Sequence, residues 1–133
     1  MNNTDAITGT VIRECIKIHS AIGPGCFEKV YEELLCYELT MAGLCVQRQL
    51  LLPIEYKELH IKNAYKLDLL VENRLVLELK AVYPMPPVYF AQLRTYLTLL
   101  NFKHGMLINF KVDLMKHGIH RVFNNFGRES LIN

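Results

Sequence analysis

Residues 66–82 read KLDLLVENRLVLELKAV, two apolar runs on either side of the polar residues 72–74. Apolar runs of this length around a short polar segment are typical of a β-hairpin, here with its turn centred on Asn73. Both runs also carry charged side chains, namely Asp68, Glu78 and Lys80. Charges are excluded from the interior of a sheet unless they are paired or bind an ion. The hairpin therefore predicts both the core of the fold and a candidate site.

The two strands of this hairpin each have an apolar face, because side chains alternate across a strand. The predicted apolar face consists of Leu67, Leu69, Val71, Leu75, Leu77, Leu79 and Ala81. Both apolar faces must lie on the same side of the sheet, and a slip of one residue would turn one of them to the other side. Because the apolar residues of both strands have odd numbers, the numbers of two paired residues must sum to an even value. A turn centred on Asn73 sets that sum at 146.

This register predicts that Asp68 lies opposite Glu78 and that Lys66 lies opposite Lys80. Like charges directly across a ladder destabilise a hairpin. A divalent cation between the two carboxylates would reverse the sign of that interaction, and magnesium or manganese suits such oxygen ligands. The alternative is a solvated face on which the lysines pair diagonally with the acids. The pattern alone leaves both interpretations open.

Composition limits the chain to one domain over residues 1–133, with 51% apolar and 21% charged residues. The formal charge of +2 is too small to predict a nucleic-acid ligand by itself. No apolar run approaches the roughly 18 residues of a membrane span, and the polar start MNNTDAITGT is unlike a signal peptide. We therefore expect a cytoplasmic protein that does not contact membranes.

The four cysteines, Cys15, Cys26, Cys36 and Cys45, lie about ten residues apart. This spacing lacks the two-residue gaps typical of zinc and iron–sulfur ligands. We expect buried, reduced thiols. An iron–sulfur or redox protein is the weaker alternative.

The remaining pattern predicts an α+β domain with a mainly antiparallel sheet of about four or five strands and helices on its faces. Helices are expected at residues 5–22, 27–43 and 88–100, and further strands at 45–57, 104–110 and 118–124. Segment 45–57 would be a strand pair or one long edge strand, because Pro53 cannot donate to a central ladder.

Asp68, followed after nine residues by Glu78-Leu79-Lys80, resembles the core motif of the PD-(D/E)XK nuclease superfamily. The segment GCFEKVY at residues 25–31 resembles the signature of the GxxExxY proteins, a bacterial family placed in that superfamily. The segments AQLRTYL and GMLINF are similar to later parts of the same family. The resemblance implies a restriction-endonuclease-type core with three α/β/α layers.

The resemblance also implies a role for individual residues. The metal ligands would be Asp68, Glu78, the main-chain carbonyl of Leu79, and Glu28 on the second helix. Lys80 would assist the attacking water, and Gln92 and Tyr96, which are one helical turn apart, would orient that lysine or the substrate. Basic side chains around the site that would contact phosphates are Arg48, Lys66 and Arg94.

Two of these assignments, Glu28 and Tyr96, have alternatives. Glu28 could simply be an acid that interacts favourably with a helix N-terminus. Glu32, one helical turn later, could bind the metal in its place or support it. Tyr96 lies on a helix that the pattern would place in the core anyway, whereas Gln92 is harder to explain by packing. His19 is expected to be a packing residue. For His104, His117 and His120 we identify no carboxylate or cysteine at the spacing of a metal site, so we assign them no chemistry.

The expected function is magnesium-dependent (or manganese-dependent) hydrolysis of phosphodiester bonds in nucleic acid, with DNA as the expected substrate. A chain of this size has little surface for base-specific contacts, so we expect structure-selective or nonspecific cleavage. A homodimer or a protein partner could help to enclose duplex DNA. The rival hypothesis is a catalytically silent module that keeps the fold and binds nucleic acid or a protein.

Overall fold

The structure is a computed structural model that describes residues 3–129. These residues form three α-helices, one short 3₁₀-helix and five β-strands. In chain order they are α1 (Thr4–Ile22), α2 (Glu28–Met41), β1 (Val46–Tyr56), β2 (Leu59–Val71), β3 (Leu75–Lys80), α3 (Val88–Leu100), β4 (His104–Asn109), the 3₁₀-helix (Met115–Gly118) and β5 (Ile119–Phe123).

The five strands form one mixed sheet in the order β1-β2-β3-β4-β5. Neighbouring strands are antiparallel except for β3 and β4, which are parallel and are joined by α3 as a crossover helix. For segment 45–57 we predicted either a strand pair or one long edge strand. The segment forms the long edge strand β1. The α+β class and the mainly antiparallel sheet are confirmed.

A separate apolar core covers each face of the sheet. Helices α1 and α2 pack on one face, and the buried residues of that core include Val11, Leu35, Leu69, Leu77 and Ile108. Helix α3 packs on the other face against Leu70, Val76 and Leu107. This arrangement is the predicted three-layer α/β/α core.

The first two helices are joined by a loop whose backbone is held by the side chain of Tyr31. The Tyr31 hydroxyl donates a 2.6 Å hydrogen bond to the Gly23 carbonyl and accepts one of 3.1 Å from the Cys26 amide. The ring is buried and stacks on Phe110 with centroids 4.2 Å apart. Gly23 ends α1 with φ 77°, a conformation that favours glycine. The tyrosine of the GxxExxY-like segment is therefore a structural residue that fixes the start of α2.

The hairpin register is the predicted one, since Leu69, Leu70 and Val71 pair with Leu77, Val76 and Leu75. The β2–β3 ladder ends at the Leu69–Leu77 pair. The predicted pairs Asp68–Glu78 and Lys66–Lys80 lie beyond this end and are not part of the ladder. Lys66 pairs only on the other side of β2, with Leu51 of β1.

The predicted face of Leu67 is wrong. Leu67 packs in the α3 core together with Leu70, whereas Leu69 packs on the other face. Strict alternation is therefore broken around Asp68, where the β2–β3 ladder ends. On the β1 side, Gln49 adopts a left-handed φ of 50° at the same level of the sheet.

The prediction of buried thiols holds only for Cys15. Cys26 and Cys36 are partly exposed and Cys45 is exposed, and all four are free. Within residues 3–129 we find no helix whose length and apolar character would allow it to cross a membrane.

Candidate active site

Asp68 and Glu78 meet where strands β2 and β3 separate. Asp68 Oδ2 accepts a 2.9 Å hydrogen bond from the Leu79 amide, and Glu78 Oε2 accepts one of 3.2 Å from the Asp68 amide. Each carboxylate thus binds the backbone of the opposite strand where the ladder stops. Among the described residues, no group makes a well-formed hydrogen bond to Asp68 Oδ1 or Glu78 Oε1. The Tyr65 hydroxyl lies close enough to Glu78 to oppose the rise in the pKa of that carboxyl.

Both carboxyl groups have a raised pKa. Burial, followed by the nearby charge of Asp68, raises the pKa of Glu78 from 4.5 to about 7. Burial also raises the pKa of Asp68, opposed by the Leu79 amide and by Lys80 and increased by the charges of Glu32 and Glu28. Neutral side chains or a bound cation would relieve this accumulation of negative charge. The site is therefore electrostatically suited to a cation.

Lys80 is held next to these acids by an aromatic ring. Its Nζ lies 4.2 Å from the centroid of Tyr89, within the range of a cation–π interaction. Lys80 and Glu78 line a small cavity of about 10 Å³ together with Tyr89, Gln92 and Tyr96. This volume is close to the smallest that can hold one water molecule.

Gln92 and Tyr96, the two site residues predicted on α3, line this cavity together with Lys80 of β3. The Gln92 amide donates a 3.2 Å hydrogen bond to the Tyr96 hydroxyl, and the Tyr96 ring stacks on Tyr65 with centroids 3.6 Å apart. The Tyr65 hydroxyl is buried near Glu78 without a well-formed hydrogen bond. Burial and the Glu78 charge raise the pKa of Tyr65, which keeps its hydroxyl protonated.

Glu28 and Glu32 differ in their surroundings, although both lie near enough to Asp68 to raise its pKa. Glu28 is exposed in the first turn of α2. Glu32 is buried, and its carboxylate accepts hydrogen bonds from Arg48 at 3.2 Å and from Gln49 at 2.6 Å. Glu32 is thus already satisfied by protein donors, whereas the carboxylate of Glu28 is accessible.

The three basic residues predicted to contact phosphates lie in different environments. Arg48 pairs with Glu32 at 3.2 Å and with Glu33 at 3.0 Å. Lys66 is exposed on β2, two residues before Asp68, and Arg94 is exposed on α3. Of the three, Arg48 is engaged with acids, while Lys66 and Arg94 have no ion pair within the described chain.

Three residues that the sequence did not single out also shape the site. Tyr65 and Tyr89 enclose the small cavity, and Asn109 fixes the backbone just beyond Lys80. The Asn109 side chain accepts from the amide of Val82 at 3.1 Å and donates to its carbonyl at 2.8 Å. Tyr89 is three residues before Gln92 on α3, a helical spacing that could have indicated it. Asn109 gave no such signal.

Comparison with known protein families identifies the superfamily of this chain. A model of the PD-(D/E)XK nuclease superfamily matches residues 5–122, which is most of the chain. The protein therefore belongs to the PD-(D/E)XK nuclease superfamily. No curated protein and no solved structure matches the chain significantly.

The donor set fits a hard divalent cation. Magnesium is commonly held by one or two carboxylates and completes its shell with water and phosphate oxygens. Asp68 and Glu78 supply two carboxylates, each with one oxygen that no protein group binds well. Residues 3–129 contain no cluster of three or more histidine, cysteine, aspartate or glutamate side chains that could hold a metal ion. Glu28 is therefore not assembled with the two strand acids, and the four cysteines do not form a ligand set.

Proposed function

We propose that the protein is a magnesium- or manganese-dependent nuclease that hydrolyses phosphodiester bonds in DNA. The observation that carries this proposal is the meeting of Asp68 and Glu78, where burial and, after it, the nearby charge of Asp68 raise the pKa of Glu78 to about 7. The pair is unfavourable without a counter-ion and becomes favourable when a divalent cation binds. Membership in the nuclease superfamily supports the same conclusion.

In this proposal Asp68, Glu78 and the main-chain carbonyl of Leu79 would hold the metal. When bound, it would supply Lewis-acid polarisation of the phosphate and activation of water. Glu28, in the first turn of α2, would add negative charge near Asp68 that favours a bound cation. The backbone hydrogen bonds of Asp68 and Glu78 fix the direction of both carboxylates before the cation arrives.

Lys80 acts on the attacking water and on the charge that develops on the phosphate. The Tyr89 ring holds its ammonium group beside Glu78, which prevents the long side chain from turning into solvent. Gln92 and Tyr96 line the same cavity from the α3 side. They position Lys80 across this cavity, which is about the size of one water molecule. Lys66 and Arg94 would contact phosphates outside the reacting group without reading sequence.

A silent binding module is the second candidate, and one observation favours it. The described residues gather only two acidic side chains at the site, with no third histidine, cysteine, aspartate or glutamate assembled beside them. Two carboxylates are sufficient for magnesium when substrate and water complete the shell. Both candidates are thus compatible with a bound cation, and they differ in whether the protein cleaves nucleic acid.

Cleavage of labelled single- and double-stranded DNA should be followed with magnesium, manganese and a chelator. The test variant is Asp68→Asn combined with Glu78→Gln, which preserves the shape of both side chains. The matched control is Glu55→Gln combined with Glu58→Gln, two exposed acids at the far end of the β1–β2 hairpin. Metal-dependent cleavage that is lost only in the test variant supports the nuclease. Absence of cleavage by the wild type with both metals would replace it with the binding module.

A further inference from the structure

The Tyr65 hydroxyl is a buried polar group beside the candidate active site. Its oxygen is shielded from solvent and makes no well-formed hydrogen bond within the described chain. A buried hydroxyl without a partner costs free energy, so such a group in a folded protein needs an explanation. Tyr65 lines the small cavity of about 10 Å³ together with Glu78 and Lys80, and this space holds at most about one water molecule. The hydroxyl is therefore placed to act on a group that lines this cavity.

Both the backbone and the ring of Tyr65 are held in place. The backbone pairs with Leu52 of β1, in the part of β2 that lies beyond the β2–β3 ladder. The ring stacks on Tyr96 with centroids 3.6 Å apart and an angle of 21° between the planes. Gln92 in turn donates a 3.2 Å hydrogen bond to the Tyr96 hydroxyl. These contacts keep the Tyr65 hydroxyl inside the cavity, so the fold itself sets its position.

The acceptor within reach of this hydroxyl is the carboxylate of Glu78. The hydroxyl lies close enough to act as a donor that opposes the rise in the pKa of Glu78. Burial and the Glu78 charge raise the pKa of Tyr65, so the hydroxyl keeps the proton that it would donate. Lys80, which lines the same cavity, has donors but no acceptor atom. A small movement of the Glu78 carboxylate would complete the hydrogen bond.

Glu78 is held less firmly than Asp68. The Asp68 carboxylate accepts a hydrogen bond from the Leu79 amide at 2.9 Å, whereas the Glu78 carboxylate accepts one from the Asp68 amide at 3.2 Å. The last side-chain torsion of glutamate is broad, so one hydrogen bond of this length leaves the carboxylate free to rotate. Carboxylates that bind metal ions are usually oriented by hydrogen bonds from neighbouring groups. A second donor would remove the remaining freedom of Glu78.

We propose that Tyr65 is a positioning residue that donates a hydrogen bond to Glu78 and holds its carboxylate in one orientation for a divalent cation. A carboxylate that binds a cation is ionised, and a hydrogen bond to an ionised acceptor is about twice as strong as one between neutral groups. Tyr65 itself touches neither the cation nor the substrate. This role rests on the proposed function, because Tyr65 acts through a ligand of the proposed metal site.

The variant Tyr65→Phe tests the hydroxyl alone, because it keeps the ring that stacks on Tyr96. Calorimetric titration of manganese into the full chain should show an affinity about ten-fold or more below that of the wild type. The manganese concentration that gives half-maximal cleavage of labelled DNA should rise by the same factor. The matched control is Tyr56→Phe, whose ring is 58% exposed at the end of β1 and does not line the small cavity. This control should bind manganese like the wild type.

Urea unfolding in the presence of a chelator separates positioning from a role in the fold alone. A hydroxyl that serves only the fold would contribute to the free energy of unfolding through its hydrogen bond. Its removal would lower that free energy and leave the manganese affinity of the folded protein unchanged. A positioning residue gives the opposite result for the affinity. Lower stability of Tyr65→Phe with wild-type manganese affinity would therefore overturn the proposal.

The remaining outcomes distinguish this proposal from the proposed function. Equal manganese affinity in the wild type and Tyr65→Phe, or an equal loss in Tyr56→Phe, would overturn the positioning role and leave the nuclease intact. Manganese binding that is weakened only in Tyr65→Phe, without cleavage of DNA by the wild type, would refute the nuclease and support the positioning role. The absence of manganese binding by the wild type would refute both.

Discussion

Replacing Glu78 with glutamine should stabilise the metal-free protein at about pH 8 and have much less effect at about pH 4. The Glu78 carboxyl has a pKa of about 7 in the folded protein and an ordinary value of 4.5. Multiplying that rise by about 1.4 kcal/mol per pH unit gives about 3 kcal/mol. Glutamine removes the charge and keeps an oxygen that can accept from the Asp68 amide.

The direction follows from proton binding. Between about pH 4.5 and 7 the folded protein binds more protons at Glu78 than the unfolded chain does, so stability falls as the pH rises. The cost is fully present above the folded pKa and absent below the unfolded one. The free energy of unfolding of Glu78→Gln, relative to the wild type, should therefore increase by about 3 kcal/mol across this interval.

Urea unfolding at several pH values, with a chelator present and followed by circular dichroism, measures this difference. Circular dichroism is suitable because the chain has no tryptophan. Glu58→Gln, at an exposed position in the turn between β1 and β2, is the control and should follow the wild type at every pH. A difference between Glu78→Gln and wild type that does not change with pH would refute the reasoning.

Three further predictions concern separate parts of the structure. Lys80→Ala should lower the rate of cleavage about 100-fold or more while the metal affinity measured by calorimetry stays within a few-fold of wild type. A large loss of metal affinity would instead make the lysine a support of the metal site. Tyr31→Phe should lower the free energy of unfolding by about 1–2 kcal/mol, because the carbonyl at the end of α1 loses its donor, while Tyr37→Phe should have no effect in the same urea titration. Asn109→Ala should cost about 2–3 kcal/mol in that assay and should also reduce cleavage, and an unchanged rate would show that the backbone after Lys80 does not depend on this side chain.

The parts of the fold that depend on local patterns were predictable. The hairpin register followed from the alternation of leucines and valines, since any odd slip would place one apolar face in the wrong core. The third helix was predicted at its observed bounds, because its apolar spacing and the prolines before it both indicate a helix start. These features are decided by residues that are close in sequence.

The details of the site were less predictable because they depend on long-range contacts. The break in alternation at Leu67 coincides with the end of the β2–β3 ladder, which no local pattern indicates. Arg48 is bound by Glu32 and Glu33 of α2, a contact that forms only after the helix packs beside β1. Tyr65 belongs to the site through its stacking on Tyr96 of α3.

Calorimetric titration of manganese into the wild type and into Asp68→Asn combined with Glu78→Gln tests the central claim most directly. The claim is that these two carboxylates hold a divalent cation. We expect saturable binding by the wild type and by the control Glu55→Gln combined with Glu58→Gln, and its loss in the double variant of the strand acids. Equal binding by all three proteins, or none by the wild type, would contradict the account.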